Sequence, residues 1–366
     1  MNKVNTVGLS RENYFSESDL SQEWVKVFSK NWGFAGTVND VRNNGDYICV
    51  SIGKNSLVVI RDYQGTLRAF HNICRHRGTI LLKGKGNISD SKGVQCGYHC
   101  WRYSLKGELI SVPQESTQFE KINKKDLSLY PAAIKVFKGI IFVHSRAEEE
   151  RNFDSWLGEF KDHFGPYDLN NLDELYSQKY TMDANWKLFV ENHIESYHLW
   201  YAHKNSILGL DHHKQVNHYY NGHWSFFQPT LIHGKMAEFE KYIPSTIIAP
   251  SKEWFGSGDH LLYPNLGVVT GAKFVAFLKV VPLTPEKSQI EIRVFGRNVF
   301  AQVDLGNYYE ESGSSENFNV NLEDIELCEK VQQGMNSEYG GIGVLAKNYE
   351  YSIQKFHEKY LSEMKA

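Results

Sequence analysis

Leu20, Trp24, Val27 and Phe28 fall at i, i+4, i+7 and i+8, the spacing of one apolar helix face. Ser18 or Asp19 offers an N-cap, Gln22 three residues after Asp19 resembles a capping-box partner, and Gly33 is expected to end the helix. From about 39 to 143 the pattern changes to short β-rich runs. Those at 47–52, 56–61 and 67–72 are separated by Gly53-Lys54-Asn55 and Gln64-Gly65, which suit tight turns. Gly107 lies between runs at 101–105 and 108–112, and Lys138-Gly139 splits the run at 134–143. These strands are too many for a lone hairpin, and no helix of useful length interrupts them. The charged segment 148–173 reads as helical or connecting. Near Ser177 a second domain begins, with a polar and aromatic patch at 211–228, strands at 274–281 and 289–295, and a mainly helical end from 323 to 365. Ser312-Gly313-Ser314-Ser315 reads as a mobile loop. The expected class is therefore α+β, in three parts. These are a helical segment (1–38), an antiparallel β domain (39–147), and a C-terminal domain (148–366) that sets helices against an antiparallel sheet.

The length of 366 residues accommodates two full cores. A net charge of −3 gives no electrostatic case for nucleic acid or an anionic membrane as partner. The most apolar run, 260–282, is interrupted by Asn265, Lys273 and Lys279, so it does not read as a membrane span. The first residues are polar and lack the apolar centre of a signal peptide. The five cysteines are too few and too unevenly placed for a disulfide framework, and the expected setting is reducing and cytoplasmic.

The chemistry concentrates in two places. Within 192–203, His193, His198, His203 and Glu195 crowd together. A non-haem iron(II) centre that activates dioxygen uses two histidines and one carboxylate. On one helix Glu195 and His198 share a face. His198 and His203 are five apart, about 140° of rotation, and reach one metal only if the helix ends or bulges between them. His193 and His198 have the same spacing, so geometry does not choose the pair. In the β domain, Cys74-x-His76 and Cys96-x2-His99 are separated by 19 residues. Two Cys and two His can bind one zinc, but common zinc modules put at least two residues between paired ligands. A Rieske [2Fe–2S] cluster takes two Cys on one iron and two His on the other, which accounts for both pairs.

With these motifs the chain resembles the Rieske non-haem iron oxygenases, specifically their catalytic α subunits, over nearly its whole length. Asn72-Ile73-Cys74-Arg75-His76-Arg77-Gly78 and Tyr98-His99 with Trp101 match the cluster loops. Asn185-Trp186-Lys187, Glu191-Asn192, Glu195, Tyr197-His198 and His203 match the catalytic segment. The resemblance selects His198 and His203 over His193, and it selects Asp324 as third ligand, although Glu323 and Glu326 could serve on spacing alone. It makes Asn192 a candidate neighbour of the iron. Departures from the family pattern are Gly97 where proline is common, Cys100 where glycine is common, and Glu195 where aspartate is commoner.

The resemblance implies a terminal oxygenase that uses O2 at a mononuclear Fe(II) to hydroxylate an organic substrate. No Gly-x-Gly-x-x-Gly stretch occurs, so electrons are expected from a partner reductase or ferredoxin, ultimately from NAD(P)H. It also implies a homotrimer in which an acidic residue at the position of Glu195 bridges a cluster histidine of one chain to an iron-ligating histidine of the next. Glu195 points to the branch acting on quaternary ammonium compounds, with a long aliphatic natural product as another substrate class. A pure Rieske electron carrier is the competing reading, and the second histidine cluster argues against it.

Overall fold

The structure is a computed structural model that describes residues 8–88, 93–148, 152–165, 167–203, 216–228, 257–271, 274–297, 320–341 and 343–366. Ser312–Ser315 and the first five residues of the 211–228 patch lie outside the described residues. The chain divides into two compact units, Glu23–Trp156 and the described parts of Met1–Gln22 with Leu157–Ala366. The expected helical segment 1–38 is thus split between them.

In Glu23–Trp156, strands β1 (Gly33–Thr37), β2 (Asp46–Ile52), β3 (Asn55–Arg61), β4 (Leu67–His71) and β5 (Lys85–Asn87) are followed by β6 (Val94–Gln95), β7 (Arg102–Tyr103) and β8 (Leu109–Ser111). The unit closes with β9 (Pro131–Phe137) and β10 (Ile140–His144). Seven form one sheet in the order β1-β10-β9-β4-β3-β2-β5, and β6-β7-β8 form a small second sheet. Within β3 the run Leu57-Val58-Val59-Ile60 is continuous rather than alternating because both faces are covered. Leu57 and Val59 pack with Val41 and Ile141, whereas Val58 and Ile60 pack with Cys74, Cys96 and Trp101. Lys138 (φ 49°) and Gly139 (φ 81°) form the two-residue hairpin between β9 and β10, as their sequence predicts.

Helix α1 (Glu17–Glu23) starts before the expected cap, because Ser16 Oγ accepts the Asp19 N–H at 3.0 Å. It runs into a π-helical turn at Trp24–Phe28, and Gly33 opens β1 instead of ending the helix.

The other unit is a seven-stranded antiparallel sheet with helices. Its strands are β11 (Asp173–Met182), β12 (Val216–Tyr220), β13 (His223–Gln228), β14 (Ser257–Leu262), β15 (Leu266–Thr270), β16 (Phe274–Thr284) and β17 (Lys287–Gly296), in the order β11-β17-β16-β15-β14-β13-β12. The expected strands at 274–281 and 289–295 are β16 and β17. Helices α2 (Trp186–His193), α3 (Leu199–Ala202), α4 (Val320–Met335) and α5 (Tyr351–Lys365) complete it, with α2 packed against β14, β16, α4 and α5. Asn185 caps α2 by accepting the Lys187 N–H at 3.0 Å, and its side-chain amide donates to the carbonyls of Tyr14 and Pro285. Tyr14 adds a 2.6 Å hydrogen bond to Glu191, which ties the segment before α1 into this core.

Candidate metal centres

The two cysteine loops share one backbone plan. Cys74 donates its N–H to Thr79 O (2.8 Å) and Cys96 donates to Trp101 O (2.8 Å), while Gly78 and Cys100 return N–H bonds to Cys74 O and Cys96 O. The residue four after each cysteine is left-handed: Gly78 at φ 71° and Cys100 at φ 58°. This is the conformation for which glycine is the usual choice, and Cys100 adopts it with its side chain exposed. Gly97 has open space where a Cβ would stand.

Cys74 and Cys96 are buried in the apolar cluster with Trp101 and Tyr103, while His76 and His99 lie at the surface with their Nδ1 atoms 3.1 Å apart. His76 stacks on Trp101 with centroids 4.8 Å apart. Burial, then His99 and Arg77, hold His76 below the usual histidine range, so it is a neutral donor. The donor set separates a nitrogen pair at the surface from a buried sulfur pair. Among the described residues no three of these four donors lie within 4.8 Å of one another. One tetrahedral zinc would hold its ligands about 3–4 Å apart. The arrangement instead fits a group with two metal ions. Sequence reasoning missed Tyr103, whose hydroxyl lies 3.3 Å from Cys74 Sγ. Its position two residues after Trp101 on β7 carries no motif that would single it out.

In the other unit the histidine stretch is not one helix. α2 ends at His193, and the four-residue α3 is flanked by His198 and His203 at its two ends. That break lets both imidazoles face one point. His203 Nε2 lies 2.9 Å, and His198 Nε2 3.5 Å, from Asp324 Oδ1 on α4. Their donor atoms lie within 4.8 Å of one another, a set that could hold one metal ion. His193 is directed elsewhere, with Nε2 3.0 Å from the His260 carbonyl.

Each facing histidine has its other nitrogen held by a glutamate. His198 Nδ1 bonds Glu195, and His203 Nδ1 lies 2.7 Å from Glu323 Oε2. Glu195 also accepts the backbone N–H groups of Tyr197 and His198, so it holds the turn that leads into α3. A histidine that ligates a metal commonly donates its remaining N–H to a carboxylate. Glu323 thus sits behind His203 rather than at the centre, and Glu326 turns outward to an exposed pair with Lys330. Asn192 is half-buried on the last turn of α2, and no hydrogen bond joins it to the three. Burial opposes charge on His198, but Asp324 and Glu195 outweigh it and raise it to about 10. Asp324 and Glu323 likewise raise His203 against its burial, and the two imidazoles hold Asp324 well below the carboxylate range. The site is built to hold positive charge.

Residues 31–136 match the family model for the Rieske [2Fe-2S] domain, and residues 169–366 match the ring hydroxylating alpha subunit (catalytic domain). Similar proteins include a chloroplastic choline monooxygenase of Beta vulgaris, 29% identical over 94% of this chain and 74% of its own length. Another is the glycine betaine monooxygenase oxygenase subunit of Chromohalobacter salexigens, 34% identical over 52% of this chain and 42% of its own length. Two solved structures share the fold. One is a quaternary ammonium Rieske monooxygenase (21% identity, 97% of this chain and 94% of that one, TM-score 0.80). The other is a naphthalene 1,2-dioxygenase from Rhodococcus sp. (20% identity, 98% and 95%, TM-score 0.78). Among the described residues no helix is long and apolar enough to cross a membrane.

Proposed function

We propose, from the premise that this chain belongs to the ring-hydroxylating oxygenase α-subunit family, that His198, His203 and Asp324 hold its iron and that its substrate is a quaternary ammonium compound. The chain is a terminal oxygenase component, with a Rieske [2Fe–2S] domain, a non-haem iron domain, O2 as co-substrate and electrons from a reductase or ferredoxin. When bound, the cluster supplies single electrons and the iron activates dioxygen. In this reading Cys74, Cys96, His76 and His99 hold the cluster, the sulfurs inside and the imidazoles outward. Glu195 and Glu323 keep the Nδ1 protons of His198 and His203 in place, so both Nε2 lone pairs face the metal. The observation that carries the reading is this convergence of two imidazoles and a carboxylate on one point, each imidazole backed by its own glutamate.

The substrate reading rests on the relatives named for choline and glycine betaine, and on one sheet face. Trp224 and Phe226 of β13 stack with centroids 5.4 Å apart, and Asp259 of β14 is the register partner of Phe226. Their face of the sheet is the one on which His193 lies, against Gly267. Burial, and then the charge of Asp324, push Asp259 up to about 7, so a cation arriving beside it would be favoured. Aromatic faces with a nearby carboxylate are the environment a quaternary ammonium prefers. We further propose a homotrimer in a cytoplasmic setting. Glu195 uses three acceptor positions within its own chain, which leaves about one of a carboxylate's four for a neighbouring chain's His76 or His99.

The test is substrate-dependent O2 uptake by the iron-loaded protein with a reductase and NADH, comparing choline, glycine betaine and carnitine with naphthalene. Coupled turnover of a quaternary ammonium compound, with a raised KM in Asp259→Asn, is expected. Coupled turnover of naphthalene alone would overturn the substrate reading.

A further inference from the structure

Glu159, His163 and His218 lie apart from both centres described above. Glu159 and His163 are four residues apart at the two ends of one helical turn, so they share a face. His218 is the middle residue of β12, the outermost of the described strands, and pairs in register with Ser225 of β13. One ligand atom from each of the three lies within 4.8 Å of the others. Ser225 and His260 alternate with Trp224, Phe226 and Asp259 along β13 and β14, so this cluster occupies the opposite sheet face from the proposed substrate residues.

The hydrogen bonds beneath the cluster can be assigned by counting donors. Thr270 Oγ1 donates to the Gly258 carbonyl at 3.1 Å, so at 3.3 Å it accepts from His260 Nε2–H. His260 Nδ1 must then accept, and Ser225 Oγ donates to it at 2.8 Å. Ser225 Oγ has no second proton, so it accepts from His163 Nδ1–H at 3.0 Å and from the Tyr220 hydroxyl at 3.2 Å. This buried relay presets His163 with its proton on Nδ1 and its Nε2 lone pair free.

We propose that Glu159, His163 and His218 form a second metal site, for a late first-row divalent ion such as zinc. Two imidazoles and one carboxylate are a zinc donor set that leaves a fourth position for water. The hydroxyl behind His163 plays the orienting part that bound histidines require. A metal here would clamp β12 to the turn that precedes it in the chain, without involving the iron centre.

The test starts from the protein with both iron centres loaded, dialysed against Zn(II), with metals counted by mass spectrometry. About one retained zinc per chain with unchanged iron is expected. Ser225→Ala should weaken zinc binding by about 10–100-fold, as loss of an orienting partner does, and His218→Ala and Glu159→Gln by at least as much. Asp324→Ala should retain the zinc. Glu159 is exposed, so Glu159→Gln tests the site without disturbing the core. No retained zinc, zinc gained only as iron is lost, or unchanged affinity in both His218→Ala and Glu159→Gln would overturn the proposal.

Discussion

The Tyr103 hydroxyl accepts the Arg75 N–H at 2.9 Å, so its own proton is directed at Cys74 Sγ. Burial, and then Cys74, push this phenol well above the usual tyrosine range, and it stays a donor. A hydrogen bond to a cluster sulfur favours the reduced state. Tyr103→Phe is therefore expected to lower the potential by roughly 20–60 mV, the equivalent of one hydrogen bond for a one-electron couple, measured by redox titration. At the other centre, His198 at about 10 carries a proton at neutral pH when no metal is present. On the proposed ligation iron would have to displace that proton, so affinity should fall as the pH drops from about 8 to 6. Calorimetry in buffers of different ionisation enthalpy should show proton release on loading. No release would mean that the proton is not where the carboxylates put it. Glu323→Gln should weaken iron binding by about 10–100-fold while the Rieske spectrum persists.

Among the elements, the β3–β4 turn depends on one side chain. The Asp62 carboxylate accepts from the N–H groups of Gln64 and Thr66, both at 2.9 Å, and from Arg68 Nε at 2.7 Å. Burial alone would raise this carboxyl, but Arg68 and then the two backbone donors outweigh it and lower it. A folded-state pKa below the unfolded one stabilises the fold above about pH 4, and that contribution is lost as the pH falls through the folded value. Asp62→Asn should cost about 1–3 kcal/mol at pH 7 and progressively less below pH 4, followed by denaturant titration of the cluster's visible circular dichroism. The hairpins around this turn were readable because Gly65 and Gly139 stand where the backbone needs positive φ. β1 was not, because Gly33 can end a helix or open a strand, and only pairing with β10 decides.

For the molecule as a whole, the remaining prediction concerns assembly. If Glu195 joins two chains, Glu195→Ala should keep the Rieske cluster reducible yet stop substrate-coupled reoxidation by oxygen. Stopped-flow absorbance checks this, with mass measurement in solution for the trimer. Rapid reoxidation with product formation, or a fully active monomer, would reduce Glu195 to the role visible within one chain: holder of the turn before α3 and of His198.

What the sequence determined by itself is the chemistry and most of the strands. Cys74-x-His76 and Cys96-x2-His99 name a donor set, and donor sets are local in the chain. Alternation and turn residues are local too, so β2, β3, β4, β9 and β10 could be placed. Spacing alone could not say which histidines act together, because His193, His198 and His203 are equally spaced, and only the resemblance favoured His198 and His203. The break between α2 and α3 turns His198 and His203 toward Asp324, while the His260 carbonyl takes His193. Glu323 and Asp324 are neighbours in sequence, yet α4 turns one behind His203 and the other toward both imidazoles. Glu159, His163 and His218 carry no motif at all. They meet only because the sheet brings residues more than fifty positions apart onto one face, and that register belongs to the fold.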